Sequence, residues 1–379
     1  MNMKLQDIKT PAYVCQKSKL ESNLNLLHYV AKESGAKVLC ALKGFAFSPG
    51  MSLVSSILDG ATCSGLIEAK YAKEHGFKEI HTYSPAFSDD DIDEVLAISH
   101  HVVFNSFAQW KRFATKAKNS SASIGLRVNP NVSASPTDMY NPCAKYSRLG
   151  ITKQNFEFDF LDGIDGLHFH ALCEESAWSL KIVLEAFEEQ FGDILPRMKW
   201  VNFGGGHHIT KSGYDVDLLI LLIKNFSQKY GVEVYIEPGE AVGWECGFLI
   251  ASVLDIVDNE QKTCIIDASA ECHMPDTILM PYRPKMRGES QNGKFSYRFG
   301  GATCLAGDIV GAEAGDPIYS FDNPINIGDK VIFEDQIHYT IVKNTTFNGV
   351  KLPSLAMMDN DGKVTVCREF GYDDYAKRN

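Results

Sequence analysis

Several short apolar segments of the sequence lead directly into residues that could do chemistry. The run VLCAL ends on Lys43, whose amine is a nucleophile once it has lost its proton. His168 and His170 lie two positions apart, so in a strand they point to the same face. The run KWVNF leads into the glycines 204–206, and VEVYI leads into Glu237. A glycine run before a helix exposes backbone N–H groups, which bind anions.

Together, these residues match the needs of pyridoxal 5'-phosphate (PLP). Residues 204–206 would bind the phosphate, and Lys43 would form a Schiff base with the aldehyde. Glu237 would keep the pyridine nitrogen protonated so that the ring accepts electrons, and His170 could stack on the ring. Apolar neighbours such as Phe45 would lower the pKa of the lysine by desolvation. Each residue alone is more often structural; their coincidence at strand ends favours a site.

Such a site needs a scaffold that brings strand ends together. Eight short apolar segments alternate with longer segments of helical periodicity, which predicts a parallel sheet in an α/β protein. Eight is the number of strands that closes a TIM-like (β/α)8 barrel, whose chemistry lies at the C-terminal strand ends. The eight segments are residues 37–42, 61–63, 79–84, 102–105, 123–129, 166–172, 199–203 and 232–237.

After residue 240 the pattern changes to extended segments separated by Gly, Asp and Asn turns, which predicts a C-terminal mostly-β domain. The opening segment TPAYVCQ is also strand-like, and we expect it to join that domain. The predicted division is a PLP-binding barrel over residues 17–240 and a β domain formed by residues 1–16 and 241–379.

Composition narrows the classes of function. The 379 residues carry a net charge of −11, which disfavours nucleic-acid binding because that role favours a basic face. The ten cysteines include no C-x-x-C pair, which disfavours a zinc ribbon. The polar start lacks the apolar core of a signal peptide, and LLILLI (218–223) is too short to span a bilayer. We therefore expect a cytoplasmic protein with reduced cysteines and no membrane partner.

Several motifs resemble those of the fold-type III PLP-dependent decarboxylases, a family with an alanine racemase-like barrel that includes ornithine, arginine and diaminopimelate decarboxylases. The resemblance covers most of the chain. Its motifs are TPAYVCQKSKLESNL, ALKGF, LRVNP, YSRLG, LHFHALC, NFGGGH and EPGE. It implies a carboxy-lyase. The cofactor-binding residues that it implies are Lys43, His170, Gly204, Gly205, Gly206, Glu237 and Tyr339, the last from the segment HYT.

The segment GATCLAGD (301–308) is similar to the family's catalytic-cysteine segment and implies that role for Cys304, beside Lys43. Either Cys304 or Lys43 would protonate the carbon that loses CO₂. In the family the counterpart of Cys304 enters the active site from the other subunit. The resemblance therefore implies a homodimer with shared active sites.

The chain departs from the family pattern at positions that bear on the substrate. Glu240 stands where arginine is common, Cys173 where serine is common, and Leu305 where diaminopimelate decarboxylases have an acidic residue. A carboxylate in place of an arginine favours a cationic tail over a second carboxylate. The substrate-binding candidates are Glu240, Glu271, Asp276 and Asp308. Turn or surface carboxylates are the alternative interpretation of Glu240 and Asp276.

With these departures, the resemblance implies a carboxypolyamine substrate. The activity that it implies is decarboxylation of carboxynorspermidine or carboxyspermidine to norspermidine or spermidine, in polyamine biosynthesis. The two substrates differ by one methylene, which the sequence cannot separate. Diaminopimelate or another amino acid is the alternative substrate.

Other classes of protein use some of the same residues. A metal-dependent barrel hydrolase could bind zinc through His168 and His170, but it would leave Lys43 and the glycine run without roles. A PLP carrier would not need Cys304 or a second domain, and the cysteine segment favours a decarboxylase over a racemase. We therefore expect PLP and no metal in the active site.

Overall fold

The computed structural model describes residues 2–133 and 138–379. In chain order, the strands are β1 (Asn2–Lys4), β2 (Ala12–Gln16), β3 (Lys37–Ala41), β4 (Gly60–Cys63), β5 (Ile80–Tyr83), β6 (His101–Phe104), β7 (Ser123–Asn129), β8 (Ile151–Thr152), β9 (Gly166–His168), β10 (Trp200–Asn202), β11 (Glu233–Ile236), β12 (Gly247–Asn259), β13 (Gln261–Ile266), β14 (Phe295–Gly300), β15 (Tyr319–Phe321), β16 (Lys330–Glu334), β17 (Ser354–Met358) and β18 (Lys363–Arg368). The α-helices are α1 (Lys17–Ser34), α2 (Met51–Ile57), α3 (Leu66–Glu74), α4 (Asp89–Ile98), α5 (Phe107–Lys118), α6 (Ala177–Phe191), α7 (Val216–Tyr230), α8 (Glu240–Gly243), α9 (Ala270–His273), α10 (Asp276–Leu279) and α11 (Tyr372–Ala376).

Eight parallel strands close into a barrel. Their order around the ring is β3, β4, β5, β6, β7, β9, β10 and β11, and β11 pairs back onto β3. The short strand β8 pairs with β7 outside the ring. Each of the eight apolar segments noted in the sequence supplies one barrel strand, so the expected (β/α)8 barrel is confirmed.

Side chains fill the barrel near the N-terminal ends of its strands. Trp200, the first residue of β10, packs there with Val103 and Tyr235. Its indole leaves no room for side chains on two neighbouring strands: a Cβ on Gly125 would lie 2.3 Å from Trp200, and one on Gly166 would lie 2.1 Å away. A packed interior at this end is typical of the fold and leaves the C-terminal strand ends for chemistry.

The helices of the barrel begin at polar caps and bury one apolar face each. The Ser106 hydroxyl accepts a hydrogen bond from Gln109 N at 3.2 Å at the start of α5, and the Asp215 carboxylate accepts one from Leu218 N at 2.9 Å at the start of α7. Helix α7 buries Leu219, Ile220, Ile223 and Phe226. Within residues 2–133 and 138–379, no helix has the length and apolarity that crossing a membrane requires.

The chain divides into two compact units. One, the barrel unit, comprises Asn23–Gly44 and Met51–Val242; the other, the sheet unit, comprises the chain up to Ser22 together with Phe45–Gly50 and Gly243–Asn379. Residues 17–22 and Phe45–Gly50, expected in the barrel, group with the sheet unit, and residues 241–242, expected in the β domain, group with the barrel unit.

The sheet unit is built on a sheet with strand order β1-β18-β17-β2-β12-β13-β14-β15, and β16 also pairs with β12. The N-terminal strand β2 lies inside this sheet, parallel to β17 and antiparallel to β12. The apolar side chains of β2 explain why it lies in this sheet, because they belong to a buried cluster formed by four strands on one face of the sheet. The buried members are Ile8, Ala12, Val14, Phe248, Ile250, Ala356 and Val364.

Candidate active site

Four neighbouring barrel strands carry the candidate residues of the barrel unit. His170 follows β9, residues 204–206 follow β10, Glu237 follows β11 and Lys43 follows β3. Strand β9 pairs with β10, β10 with β11, and β11 with β3. Because all four strands are parallel, their C-terminal ends bring these residues to one side of the barrel mouth.

The glycine loop requires glycine for two reasons. Gly204 and Gly206 have φ angles of +71° and +85°, in the left-handed region that L side chains rarely adopt. A Cβ on Gly204 would lie 2.5 Å from the carbonyl oxygen of Phe169, and one on Gly206 would lie 2.2 Å from that of Leu172. The loop can therefore approach the backbone that follows β9 only without side chains.

Hydrogen bonds fix the loop to its neighbours. Gly204 N donates to Asn202 Oδ1 at 2.8 Å, and Gly205 N donates to His170 Nδ1 at 2.9 Å, which orients the imidazole. Among the residues that the structure describes, the Gly206 N–H has no partner and is available to an anion. Burial lowers the pKa of His170, and the charges of Lys43 and Arg127 lower it further, so the ring is neutral at pH 7.

Glu237 is a buried carboxylate with an oriented partner. Asn202 Nδ2 donates to Glu237 Oε1 at 2.7 Å, and Glu237 N donates to Gly204 O at 2.8 Å. His168 Nε2 lies 3.6 Å from Glu237 Oε2, but burial and the charge of Arg127 lower the pKa of this histidine. Because His168 is neutral at pH 7, it leaves the negative charge of the carboxylate available to a cation.

Lys43 is accessible to solvent, yet its amine lies among the atoms of the barrel mouth. This partial desolvation lowers the pKa of Lys43, and the positive charge of Arg127 lowers it further. Glu237 acts in the opposite direction without reversing the shift. The result is a larger fraction of neutral, nucleophilic amine, as a lysine that attacks a carbonyl requires.

Geometry alone is also compatible with the zinc alternative. His168, His170 and Glu237 can each offer one ligand atom, and these atoms all lie within 4.8 Å of one another. The distinction between a PLP site and a metal site at this mouth therefore depends on comparison with known proteins.

The family model described as "Pyridoxal-dependent decarboxylase, C-terminal sheet domain" matches residues 12–336. The chain belongs to the pyridoxal-dependent decarboxylases. The family expected from the sequence motifs is thereby confirmed, and a metal-dependent hydrolase is disfavoured.

Relatives of this decarboxylase match it over its whole length. A carboxynorspermidine/carboxyspermidine decarboxylase of Campylobacter jejuni is 54% identical over 387 residues, which cover 99% of each chain. A carboxyaminopropylagmatine decarboxylase of Synechocystis is 40% identical and covers 100% of this chain and 97% of its own. The crystal structure of the C. jejuni carboxynorspermidine decarboxylase in complex with norspermidine superposes with a TM-score of 0.91 at 53% identity, covering 98% of this chain and 100% of that one.

The remaining candidate residues of the decarboxylase belong to the sheet unit. The Cys304 side chain is exposed, and its backbone N–H donates to Asn348 Oδ1 at 2.8 Å. Tyr339 is half-buried and has a φ of +42°. Glu271, on α9, is half-buried.

Two carboxylates of the sheet unit have protein partners. Asp308 is buried and accepts hydrogen bonds from the Ser269 and Thr303 hydroxyls at 2.9 and 2.6 Å and from Ala270 N at 2.7 Å. Asp276 is buried and forms an ion pair with Lys343. These contacts give both residues structural roles, and their contact with substrate stays a prediction.

Sequence reasoning missed two residues of the barrel mouth. Arg127, on β7, is buried, its guanidinium lies 4.6 Å from the centre of the Tyr83 ring, and its charge acts on Lys43 and His170. Asn202, at the end of β10, joins Glu237 to the glycine loop. In both cases the sequence did contain an indication, since a polar side chain interrupts an otherwise apolar barrel strand: Arg127 in LRVN and Asn202 in WVNF.

Proposed function

We propose that this decarboxylase converts carboxynorspermidine and carboxyspermidine to norspermidine and spermidine. The observation that carries the proposal is the 54% identity, over 99% of each chain, to the C. jejuni carboxynorspermidine/carboxyspermidine decarboxylase. Relatives named diaminopimelate decarboxylases are less similar, at 24% identity for the Helicobacter pylori protein. That difference supports a polyamine substrate over diaminopimelate.

The residues of the barrel mouth fit PLP. Lys43 would hold the aldehyde carbon, and Glu237 would hold the protonated pyridine nitrogen. The Gly206 N–H would bind an oxygen of the phosphate, in a loop that admits no side chain. The neutral ring of His170, fixed by Gly205 N, would stack on the pyridine. When bound, PLP supplies an electron sink that lowers the barrier to loss of CO₂. Tyr339 would add a phosphate contact.

Protein groups control the protons of the reaction. Asn202 holds the Glu237 carboxylate in place, so that its negative charge would face the pyridine nitrogen of bound PLP. Lys43 can return a proton to carbon, because its lowered pKa makes its ammonium form a stronger acid. Cys304 is the alternative donor and would come from the partner subunit of a homodimer.

Carboxylates that act on Cys173 support a cationic substrate tail. Burial raises the pKa of the Cys173 thiol to about 11, and the charges of Glu174 and Glu240 contribute to that shift. The charges of these carboxylates and of Lys43 all act on Cys173, and the two carboxylates would attract a polyamine tail there. Glu271, Asp276 and Asp308 are the further candidates.

A second candidate substrate is carboxyaminopropylagmatine. The observation in its favour is the Synechocystis relative, which is 40% identical over the whole of this chain. Its substrate also combines an amino-acid head with a cationic tail, so the same carboxylates would bind it.

The deciding experiment measures CO₂ release by the PLP-loaded protein from carboxynorspermidine, carboxyspermidine, carboxyaminopropylagmatine, diaminopimelate and ornithine. We expect the highest kcat/KM for the first two. A higher kcat/KM for carboxyaminopropylagmatine would favour the second candidate, and turnover of diaminopimelate alone would refute both.

Glu240→Gln tests recognition of the tail. Removing one charge of an ion pair with a bound amine should raise KM by roughly 10-fold or more and change kcat less, because the tail is remote from the reacting carbon. Glu185→Gln, on the exposed face of α6, is the matched control and should leave KM unchanged. An unchanged KM in Glu240→Gln would remove Glu240 from the tail site.

A further inference from the structure

A second group of potential ligands lies at the opposite end of the barrel. Glu79 directly precedes β5, His81 is the second residue of β5, and His101 is the first residue of β6. His81 and His101 are register partners in the parallel pair β5–β6. All three residues therefore sit near the N-terminal strand ends, away from the residues assigned to decarboxylation.

The three side chains lie close together. Glu79 Oε1 lies 2.8 Å from His81 Nε2 and 3.7 Å from His101 Nε2. One ligand atom from each residue lies within 4.8 Å of the others. In a tetrahedral zinc site, with metal–ligand distances of about 2.0–2.2 Å, ligand atoms are separated by about 3.3 Å, so small side-chain movements would suffice.

His81 is buried, His101 is largely buried, and both are incompletely bonded. The His81 side chain is 2% exposed, and the His101 side chain is 12% exposed. Within the part of the chain that the structure describes, neither Nδ1 atom has a hydrogen-bond partner. A buried imidazole with unused bonding capacity is costly unless a ligand or water completes it.

The charges around the group are compatible with a bound divalent cation. Lys37 Nζ lies 2.9 Å from Glu79 Oε2 and 3.4 Å from Glu233 Oε1, and the Tyr235 hydroxyl donates to Glu233. One lysine thus faces two carboxylates. Lys37 would orient the Glu79 carboxylate through its second oxygen, the role that outer hydrogen-bond partners have in metal sites.

A cavity gives access to this group. It has a volume of about 500 Å³, and its lining includes Lys37, Glu79, His100, His101 and Glu233. Such a volume admits a hydrated ion and can supply water as a further ligand.

We propose that Glu79, His81 and His101 form a site for a divalent transition-metal ion, zinc by its ligand set, with a fourth position occupied by water from the cavity. Two imidazoles and one carboxylate form a ligand set of known zinc proteins. Because a nitrogen lone pair lies in the plane of its ring, the imidazoles must tilt out of their present stack, in which the ring centres are 3.9 Å apart and the planes differ by 16°.

Zinc titration of the PLP-loaded protein tests the proposal, with affinity measured by chelator competition and stoichiometry by metal analysis. We expect one ion per chain in this site. His101→Asn and Glu79→Gln should each weaken binding by at least about tenfold. His28→Asn, which removes an exposed histidine on α1, is the matched control and should bind as the wild type does. Glu79→Gln nearly preserves side-chain shape, so it keeps the test valid if His101→Asn folds poorly.

X-ray absorption at the zinc edge distinguishes the remaining outcomes. Two imidazoles and oxygen ligands in the wild-type protein, lost in Glu79→Gln, support the site. A sulfur-containing shell would overturn it, since the exposed Cys304 and Cys367 can bind zinc adventitiously. Binding that survives in His101→Asn and is lost in His168→Asn would also overturn it, because the ion would then occupy the active-site group.

Discussion

Asn202 joins two parts of the active site with one side chain. Its oxygen accepts from Gly204 N, and its NH₂ group donates to Glu237. The amide therefore couples the position of the glycine loop to that of the carboxylate. Lys43 depends on its surroundings in another way, because desolvation and the charge of Arg127 lower the pKa of its amine.

Lys43→Ala should abolish the visible absorbance band of the bound cofactor and lower kcat by at least about 100-fold, because no other group would take its place as the nucleophile. Lys181→Ala, at an exposed position of α6, is the control and should keep both the band and the activity. An unchanged band in Lys43→Ala would show that the cofactor is attached elsewhere.

At the scale of elements, the loop between β10 and α7 depends on how closely its backbone can approach the segment after β9. Gly206 and Gly213 lie in this loop with nearly equal φ angles of +85° and +83°. They differ in space, since a Cβ on Gly206 would lie 2.2 Å from Leu172 O and one on Gly213 would have no atom within 4 Å. Comparing alanine substitutions at Gly206 and Gly213 therefore separates the effect of a steric clash from the effect of backbone strain.

Gly206→Ala should weaken PLP binding strongly, because the loop must move away from Leu172 to accommodate the methyl group. Gly213→Ala bears a similar cost of about 1–2 kcal/mol for a left-handed backbone, without the clash, and should keep cofactor affinity. Equilibrium titration with PLP and thermal unfolding measure the two effects. Equal loss of affinity in both variants would mean that backbone strain, and not close approach, governs the loop.

At the scale of the whole molecule, the proposed site residues are divided between the two units of the chain. Lys43 and Glu237 belong to the barrel unit, whereas Cys304 and Tyr339 belong to the sheet unit. If Cys304 reaches the active site of a partner subunit, as the family resemblance implies, an intact site needs one barrel unit and one partner cysteine.

Mixing two defective variants tests this sharing of sites. Lys43→Ala and Cys304→Ala, unfolded and refolded together, should regain activity above that of either variant, because a mixed dimer contains one site with both residues intact. Lys43→Ala mixed with Glu237→Ala is the control and should stay inactive, since both residues belong to the same barrel. Absence of recovery in the first mixture, with dimers demonstrated, would contradict shared sites.

Buried histidines predict the dependence of stability on pH. Burial lowers the pKa of His273 from 6.5 to about 3 and that of His207 to about 4. The unfolded chain therefore binds more protons below pH 6.5, so this contribution to the free energy of unfolding is complete above that pH and is lost as the pH falls towards 3–4. Each group adds a slope of up to about 1.4 kcal/mol per pH unit.

Urea unfolding at pH 4 to 8, with a chelator present, measures that slope. His273→Gln should reduce it, whereas His28→Gln, which changes an exposed histidine, should leave it unchanged. A slope that is the same in His273→Gln and the wild type would show that His273 does not titrate on unfolding.

The amount that could be predicted from sequence differs from residue to residue. Lys43 and Glu237 are visible because a charged residue at the end of an apolar strand is unusual, and the periodicity that located those strands also predicted the barrel. Arg127 and Asn202 were missed because a polar residue inside a strand gives no indication of its partners. Asp308 was assigned to substrate, and its bonds to Ser269, Thr303 and Ala270 became visible only in the fold.

By itself, the sequence determined the succession of barrel strands and helices, the residues that end those strands and the family, because these depend on local pattern and motif. Only the tertiary structure decided which residues meet. Asn202 meets Glu237 across the neighbouring strands β10 and β11, and the pairing of β5 with β6 sets His81 against His101. The protonation of these groups follows from burial and from neighbours distant in the chain, which local sequence does not encode.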